Sequence, residues 1–313
     1  MKKNQLDPKH FGRVAVLMGG LSKEREVSLM SGGRILNALQ EQGIDAFGLD
    51  VDQRIVERLV AEKPDRIWLA LHGRGGEDGV IQGLLDSLKI PYTGSGVMSS
   101  AIAMDKIRCK YLWLGMGLPT LPFMVLDRAF ETDLNKVTNQ IGFPLVVKPS
   151  SEGSSLGVTK VRRKQDLLTA LQTAYEYEDV LIIEPCVDHA EYTVGFLDQT
   201  PLPVIKIETP TQAFYDYQAK YFSDETRYLI PSGLNETEEQ ELQAIALEAY
   251  QSLGCRHWGR VDAVRDETGQ FWILEVNTIP GMTEHSLVPQ AAKSIGISFS
   301  ELVVRILACT LES

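Results

Sequence analysis

The sequence predicts an α/β chain that begins with a parallel sheet wound with helices and continues as mixed α+β structure. Short β-type runs alternate with segments of helical periodicity over about the first hundred residues, as in parallel sheets. From about Ser100 a helix pair begins, and compact groups of strands and helices follow it. The chain has 313 residues, of which 44% are hydrophobic, so it can form two or three domains with cores of their own.

The first segment contains three predicted strands, "RVAVLM", "DAFGLD" and "RIWLAL", and three predicted helices, "EVSLMSGGRILNALQEQ", "QRIVERLVAE" and "GVIQGLLDSL". The Gly-rich turns "GGLSKE" and "HGRGGEDG" follow the first and third strands. They lie at the carboxyl ends of strands, where open α/β sheets bind ligands. The dinucleotide fingerprint is incomplete, because Asp78 and Ser99 stand where G-x-G-x-x-G needs its last glycine. The sequence therefore argues against NAD.

The later segments start with the helix pair "SSAIAMDKIRCKYLWLGMG". A compact unit follows, with predicted strands "LVVK", "LGVTKV" and "VLIIEP" and the helix "KQDLLTALQTAYEY". From about Ala190 the chain continues with strands "EYTVGFL" and "LPVIKI", an aromatic loop, the helix "ETEEQELQAIALEAYQSLG", the hairpin "GRVDAVRDETGQFWILEVN" and two closing helical segments. We expect three domains, at residues 1–100, 101–189 and 190–313.

The composition argues against several classes of partner. A net charge of −11 and a pI of about 5.0 leave no general positive field to hold nucleic acid or anionic lipid. The four cysteines are widely spaced and form no C-x-x-C pair, which favours a reducing compartment. No apolar run reaches membrane-spanning length, and the N-terminal segment lacks a signal-peptide cleavage site. We therefore expect a cytoplasmic protein with no nucleic-acid or membrane partner.

The C-terminal hairpin places acidic side chains opposite each other. With a turn at Thr268-Gly269, or a four-residue loop in the same register, Asp262 lies opposite Glu275 and Arg260 lies opposite Asn277. Period two puts all four on one face. Opposed carboxylates repel, so a cation is expected between them, and Asp, Glu and Asn oxygens suit Mg²⁺ that also bridges phosphates. The alternative is an exposed hairpin face with scattered charge.

Two loops carry further chemistry. In "VVKPSSEGSSLGV", Lys148 ends a β-branched run and Ser and Gly residues follow; the order is the reverse of G-x-x-x-x-G-K-[ST], which is absent. The alternative is an ordinary Ser-rich connection. In "TIPGMTEHSLVP", a turn at Pro280-Gly281 precedes Ser286, which is expected to begin a helix through Leu287, Ala291 and Ile295. Such a helix start suits a carboxylate ligand, and simple capping is the alternative.

Taken together, five segments closely resemble the D-alanine–D-alanine ligases of the ATP-grasp superfamily: "GGLSKEREVS", "ALHGRGGEDG", "VKPSSEGSSLG", "GRVDAV" and "LEVNTIPGMTEHSLVP". The resemblance covers nearly the whole chain, in family order. It implies an ATP-grasp fold, with an N-terminal Rossmann-like sheet and two α+β lobes that clamp ATP. It also implies ATP-dependent joining of two D-alanine molecules through an acyl phosphate, for peptidoglycan precursor synthesis. Mg²⁺ or Mn²⁺, as two ions, and a homodimer belong to this expectation.

The resemblance implies the nucleotide and metal residues. Lys106, Lys148 and Lys220 contact phosphates, and Ser155 belongs to the Ser/Gly loop, which acts as a lid. Glu184 accepts from the adenine amino group, Glu191 binds the ribose, and the backbone of Val187 lies at the hinge between lobes. Many relatives carry an aromatic residue at the place of Cys186, which puts the wall of the adenine pocket in doubt. The implied metal ligands are Asp262, Glu275 and Asn277.

The resemblance also implies the substrate residues. Glu24 holds the ammonium group of the first D-alanine and forms a hydrogen-bonded trio with Ser154 and Tyr221. His72 lines the same cavity. The implied groups facing the tetrahedral oxyanion are Arg260 and the Gly281 N–H, and those binding the second substrate's carboxylate are Ser286 and the Leu287 N–H.

Three other functions remain open from the sequence. A ligase joining D-alanine to D-lactate shares the ATP machinery, but related enzymes with that preference tend to replace the loop tyrosine, so Tyr221 favours the dipeptide. Another carboxylate–amine ligase is less favoured because of "HGRGGEDG" and "TEHS". A non-catalytic nucleotide-binding module is the third alternative, and the intact charged residues argue against it.

Overall fold

The computed structural model of the chain describes residues 7–130, 133–153, 155–208, 226–283 and 285–311. Three sheets follow one another along the chain, each covered by helices. The α-helices of the described residues are α1 Arg25–Glu41, α2 Ile55–Glu62, α3 Val80–Leu88, α4 Val97–Met104, α5 Lys106–Met116, α6 Leu134–Ile141, α7 Leu167–Ala174, α8 Glu236–Ser252, α9 Leu287–Ser294 and α10 Phe299–Ala308. The strands are β1 Val14–Gly19, β2 Ala46–Val51, β3 Arg66–Leu69, β4 Met124–Asp127, β5 Leu145–Pro149, β6 Thr159–Val161, β7 Val180–Pro185, β8 Ala190–Leu197, β9 Thr200–Pro201, β10 Ile205–Glu208, β11 Arg227–Leu229, β12 Trp258–Arg265 and β13 Phe271–Asn277.

The N-terminal sheet is parallel, with strand order β2-β1-β3, as the alternating pattern predicts. Its central strand is apolar and buried except at Met18, which is partly exposed, as expected when helices cover both faces of a parallel sheet. The C-terminal helices α9 and α10 belong to the same core, to which they contribute Val288, Leu302 and Ile306. The N-terminal core is therefore completed by residues from the far end of the chain, and the three domain boundaries remain a prediction.

Membrane-spanning length is not reached by any single helix in the described ranges. One pair of helices is long and apolar enough when the two are taken together, Leu287–Ser294 with Phe299–Leu311, but they are bent by 105° relative to each other.

The second sheet, which we call the small sheet, is antiparallel with order β4-β7-β5-β6. It has its own apolar core, formed with α6 and α7, in which Leu145, Val147 and Ile183 are buried. Strand β4 and helix α6 are not predicted by the sequence analysis. The helix start was nonetheless visible, because Asp133 is a typical N-cap and accepts hydrogen bonds from the backbone N–H groups of Asn135 and Lys136.

The third sheet, which we call the large sheet, has order β11-β10-β8-β12-β13, with β9 paired to β8. Helix α8 packs on it and begins with a capping box between Asn235 and Glu238. Residues 186–189 connect the small sheet to the large sheet. The β12–β13 hairpin of this sheet forms one wall of the site described below.

The hairpin confirms the predicted pairs and corrects the predicted turn. Arg260 lies opposite Asn277 and Asp262 lies opposite Glu275, as expected. The predicted turn is wrong, because β12 ends at Arg265 and β13 begins at Phe271, and the register shifts after Asp262. Strict period two would have put Glu275 on the face of Phe271 and Ile273, which are in the core. The extra residue, Leu274, turns Glu275 to the other face.

Candidate active site

One cavity brings together residues that lie far apart in the sequence. It lies between the first turn after β1, the loop after β3, the start of α5, the hairpin strands and the start of α9. Glu77, Gly153 and His285 line it as well and were not predicted. Nine predicted site residues line it: Glu24, His72, Lys106, Arg260, Glu275, Asn277, Gly281, Ser286 and Leu287.

Glu24 occupies the N-cap position of α1, but its side chain does not cap the helix. The carboxylate is buried and lies against two Gly-containing loops. Gly73 has φ +69°, and a Cβ there would lie 2.7 Å from Glu24 Oε2, so this position requires glycine. A Cβ on Gly153 would lie 3.4 Å from the same oxygen. The predicted partners of Glu24, Ser154 and Tyr221, lie outside the described residues.

His72 is buried in the wall of the cavity and is linked through Ser31 to the loop before α9. Its Nε2 lies 3.4 Å from Ser31 Oγ, which accepts a hydrogen bond of 3.1 Å from the backbone N–H of Met282. Burial lowers the pKa of His72, although the charge of Glu24 acts in the opposite direction. Ser31 was not predicted, but it lies one helical turn from Ser28, and both are polar positions on the buried face of α1.

Arg260 and Asp262 form a buried ion pair. Arg260 Nε donates to Asp262 Oδ1 and Nη2 to Oδ2, both at 2.8 Å, and Thr193 Oγ1 donates to Oδ1 at 2.7 Å. On the facing strand, Glu275 Oε2 lies 3.4 Å from Lys106 Nζ. Each opposed carboxylate therefore has a cation of the protein beside it. Their mutual repulsion is a weaker argument for a metal ion than the sequence suggested.

The chemistry of the donor set still fits a magnesium ion. Within the described ranges, no group of three or more His, Cys, Asp and Glu side chains could hold a metal by itself. Asp262, Glu275 and Asn277 lie at paired positions of one hairpin and offer only oxygen ligands. Mg²⁺ takes such ligands when phosphates complete its coordination. The residues therefore fit a metal that arrives with a nucleotide.

Ser286 begins α9, as predicted, but does not cap it. Its Oγ accepts from the Thr283 N–H at 2.8 Å and lies 2.9 Å from Thr283 Oγ1, and it makes no capping hydrogen bond to the helix. Simple capping is therefore not the role of this side chain. Leu287, the first residue of the helix, lines the cavity. A helix N-terminus carries partial positive charge, so this wall suits a carboxylate.

A second group of charged residues lies on the small sheet, outside that cavity. Lys148 on β5 donates to Glu184 on β7, and Lys110 Nζ on α5 lies 3.0 Å from Glu184 Oε2. Burial disfavours the ionised form of Glu184, but the charges of Lys148 and Lys110 outweigh it and lower its pKa. Lys110 was not predicted, because a lysine on a helix is normally solvated, and it lies with Cys109 and Trp113 on the buried side of α5.

The other predicted nucleotide residues are spread around the junction of the two sheets. Val187 lies in the connection between them, and Glu191 on β8 pairs with Ile207 and Val264. Ser155 follows Lys148 in the Ser/Gly loop and has φ +58°. The Cys186 sulfur lies 3.2 Å from Asp188 Oδ1, and burial, together with Asp188, raises the pKa of this thiol to about 12. Lys220 lies outside the described residues.

The Ser/Gly loop is tied to the walls of the cavity. Lys106 donates from its backbone N–H to Ser150 O at 3.0 Å and from Nζ to Glu152 O at 2.7 Å. Arg74, on the loop after β3, donates from Nε to Glu152 Oε1 at 3.3 Å. The loop is therefore held both by helix α5 and by the N-terminal part of the chain.

Comparison with known proteins identifies the family. The family models "D-ala D-ala ligase C-terminus" and "D-ala D-ala ligase N-terminus" match residues 112–308 and 50–95. A D-alanine–D-alanine ligase of Ectopseudomonas mendocina (strain ymp) is 50% identical over 310 residues, covering 99% of this chain and 98% of the relative. The chain belongs to the D-alanine–D-alanine ligase family.

Solved structures agree with this assignment. The D-alanine–D-alanine ligase of Bacillus anthracis complexed with ATP is 33% identical, with a TM-score of 0.85 over 96% of this chain and 97% of that one. The VanG D-Ala:D-Ser ligase of Enterococcus faecalis is 28% identical, with a TM-score of 0.83 over 95% of this chain and 99% of that one. The predicted fold, family and class of ATP-dependent ligase are confirmed.

We expect the imidazole of His72 to remain mostly neutral at pH 6.5, because burial lowers its pKa below the ordinary value of 6.5. The folded pKa is below the unfolded one, so the contribution of His72 to the free energy of unfolding is complete above pH 6.5 and is lost as the pH falls. Nuclear magnetic resonance titration of the ring carbons measures this pKa, and the His72→Gln variant assigns the resonance. A titration midpoint at or above 6.5 contradicts the prediction.

Proposed function

We propose that the chain joins two D-alanine molecules into D-alanyl-D-alanine, converts ATP to ADP and phosphate, and supplies peptidoglycan precursor synthesis. One observation carries the proposal: a single cavity combines Glu24, the start of α9 at Ser286, and Arg260. A carboxylate suits an ammonium group, and a helix N-terminus suits a carboxylate. The guanidinium suits an oxygen that becomes negative during reaction. Such a cavity fits two amino acids that react with each other.

The reaction needs ATP because a carboxylate oxygen is a poor leaving group. The carboxylate of the first D-alanine attacks the γ-phosphorus of ATP, the bond to ADP breaks, and an acyl phosphate forms. The second D-alanine loses a proton from its ammonium group, and its neutral amine attacks the acyl carbonyl. A tetrahedral oxyanion forms, and the attached nitrogen loses a second proton to solvent. The oxyanion then collapses, a peptide bond remains, and phosphate leaves with the electron pair of the broken C–O bond.

Each of the predicted site residues has a proposed role in these reaction steps. Glu24 holds the first ammonium group, and Ser286 with the Leu287 N–H binds the second carboxylate. Arg260 and the Gly281 N–H stabilise the oxyanion. Ser154 and Tyr221 connect Glu24 to the two covering loops, and His72 lines the cavity.

On the nucleotide side, Lys106, Lys148 and Lys220 offset the charge of the phosphates. Glu184 accepts from the adenine amino group, Glu191 binds the ribose, and the Val187 backbone meets the adenine at the hinge. Asp262, Glu275 and Asn277 would hold Mg²⁺ or Mn²⁺, which when bound neutralises part of the phosphate charge.

Water would hydrolyse the acyl phosphate, so the site must be closed during reaction. We assign this to residues 150–155, with Ser155 among them, and to residues 210–228. The hydrogen bonds of Glu152 to Lys106 and Arg74 support a closing role for the first loop, because they join it both to helix α5 and to the loop after β3. The three domains at 1–100, 101–189 and 190–313, a homodimer and a cytoplasmic location belong to the same proposal.

The second substrate is the point that separates the alternatives. The relative from Enterococcus faecalis, at 28% identity, is named as a ligase of D-alanine and D-serine. The relative at 50% identity is named for D-alanine alone. D-Lactate requires a hydroxyl nucleophile, and Tyr221 favours the amine. We therefore propose D-alanine at both positions.

Phosphate release from Mg-ATP tests the proposed function. We expect release that depends on D-alanine and is absent with L-alanine, together with D-alanyl-D-alanine as the product by mass spectrometry. D-Serine or D-lactate added with limiting D-alanine should give little mixed product. ATP binding without D-alanine-dependent phosphate release would favour the non-catalytic nucleotide-binding module instead.

Arg260→Ala should lower kcat by roughly 10²–10³, as removal of one oxyanion donor typically does. The matched control is Arg265→Ala at the other end of β12, where the side chain contacts Glu238 and Phe271 away from the cavity. We expect that variant to keep kcat within about threefold of the wild type. Steady-state kinetics with saturating D-alanine measures both. Near wild-type turnover in Arg260→Ala rules out the assigned role.

Glu275→Gln should weaken metal binding and lower phosphate release at ordinary Mg²⁺, because an amide is a poorer ligand than a carboxylate for a hard cation. Titration calorimetry with Mn²⁺ and ADP measures binding directly, independently of turnover. Glu267→Gln, at the exposed tip of the same hairpin, is the control and should bind as the wild type does. If Glu275→Gln binds Mn²⁺ with unchanged affinity, the hairpin is not the metal site.

A further inference from the structure

The buried charges on the small sheet are unequal in number. Glu184 is approached by two ammonium groups, those of Lys110 and Lys148. The Lys110 side chain is 0% exposed and that of Glu184 is 4% exposed. A single cation is enough to neutralise one carboxylate, so the presence of a second ammonium group beside Glu184 requires a separate explanation.

Lys110 is fixed by partners other than Glu184. Its Nζ donates to Thr120 Oγ1 at 2.8 Å and to Leu121 O at 3.3 Å. Thr120 in turn donates to Ile273 O at 3.3 Å, on the hairpin. Lys110 therefore reaches Glu184 from a position that is anchored to the large sheet.

Lys148 is held less firmly. Its side chain is 9% exposed, and Glu184 is its hydrogen-bond partner within the described residues. It lies next to the end of β5, immediately before the Ser/Gly loop. Of the two lysines, Lys148 can therefore turn toward a bound phosphate at the lower cost.

We propose that Lys110 is a positioning residue, the permanent counter-ion that keeps Glu184 ionised and oriented toward the nucleobase when Lys148 turns to the triphosphate. The inference rests on the proposed function, in which Glu184 meets adenine and Lys148 meets phosphate. It adds the group that makes both roles possible at once. An ionised carboxylate only accepts hydrogen bonds, so it matches a base with an amino group at position 6.

The loss of Lys110 changes the chemistry that Glu184 offers. Once Lys148 has left for the phosphates, Glu184 would be a buried carboxylate with no counter-ion from either lysine. Burial then favours the protonated form. A carboxylic acid donates a hydrogen bond as well as accepting one, so it also matches a base with a carbonyl oxygen at position 6, such as hypoxanthine.

The test compares binding of a non-hydrolysable ATP analogue with that of the corresponding inosine analogue, by calorimetry in the presence of Mg²⁺. We expect Lys110→Met to lower the preference for the adenine analogue by about tenfold or more, the effect of one hydrogen bond to a charged group. In turnover, the KM for ATP should rise more than kcat falls. An unchanged base preference in Lys110→Met overturns the proposal.

Two controls separate charge from packing. Thr120→Val removes the hydroxyl that holds Lys110 but keeps its charge, so the base preference should remain as in the wild type. In a Glu184→Gln background, Lys110→Met should change the preference by less than about twofold, because no carboxylate remains to be ionised. An equal loss of preference in Thr120→Val, or the full effect of Lys110→Met in the Glu184→Gln background, shows a packing effect and overturns the proposal.

Folding of each variant is checked by circular dichroism and thermal unfolding. If Lys110→Met does not fold, Lys110→Gln keeps a donor without the charge and is subject to the same expectation. Binding is measured without D-alanine, so the result does not depend on ligation. Failure of the proposed function appears instead as wild-type protein that releases no phosphate with D-alanine.

Discussion

The burial of carboxylates is the constraint on which the rest of the structure depends. Asp262 and Glu184 are each less than a tenth exposed, and water cannot offset their charge. The chain supplies cations instead: Arg260 contacts Asp262 through two hydrogen bonds, and two lysines surround Glu184. Of these cations, Arg260 is proposed to meet the oxyanion and Lys148 the phosphates, whereas Lys110 is proposed to stay with Glu184. Binding of substrates therefore exchanges one anionic partner for another, and the cations need little further desolvation.

The same constraint links the small sheet to the large sheet. Helix α5 belongs to the core of the large sheet, where the Trp113 indole N–H donates to Ala249 O of helix α8 at 3.3 Å, and its lysines extend elsewhere. Lys106 reaches the Ser/Gly loop and Glu275, and Lys110 reaches Glu184 on the small sheet. One helix thus supplies counter-ions to both sides of the site. A shift of α5 would disturb the proposed nucleotide residues and the proposed metal ligands together.

Much of the hairpin could be predicted from the sequence, because side-chain alternation and direct pairing are local properties. The pairs at Asp262 and Arg260 follow from these properties. The bulge at Leu274 does not, because it depends on how Phe271 and Ile273 pack in a core to which other segments contribute. Lys110 escaped prediction for a related reason. Lysines on helices are normally solvated, and its buried partner lies more than seventy residues further along the chain. Family resemblance supplied the remaining roles, which the residues alone would not have suggested.

The division of the core bears on how the site can move. Helices α9 and α10 share a core with the N-terminal sheet, so the helix start at Ser286 is fixed relative to Glu24 and His72. The small sheet has a separate core and reaches the rest through residues 117–123 and 186–189. Motion of the small sheet would then move Lys148 and Glu184, which are proposed to bind the nucleotide, and leave the proposed amino-acid residues in place. Lys110 crosses this boundary, so the ion pair with Glu184 limits how far the two parts can separate.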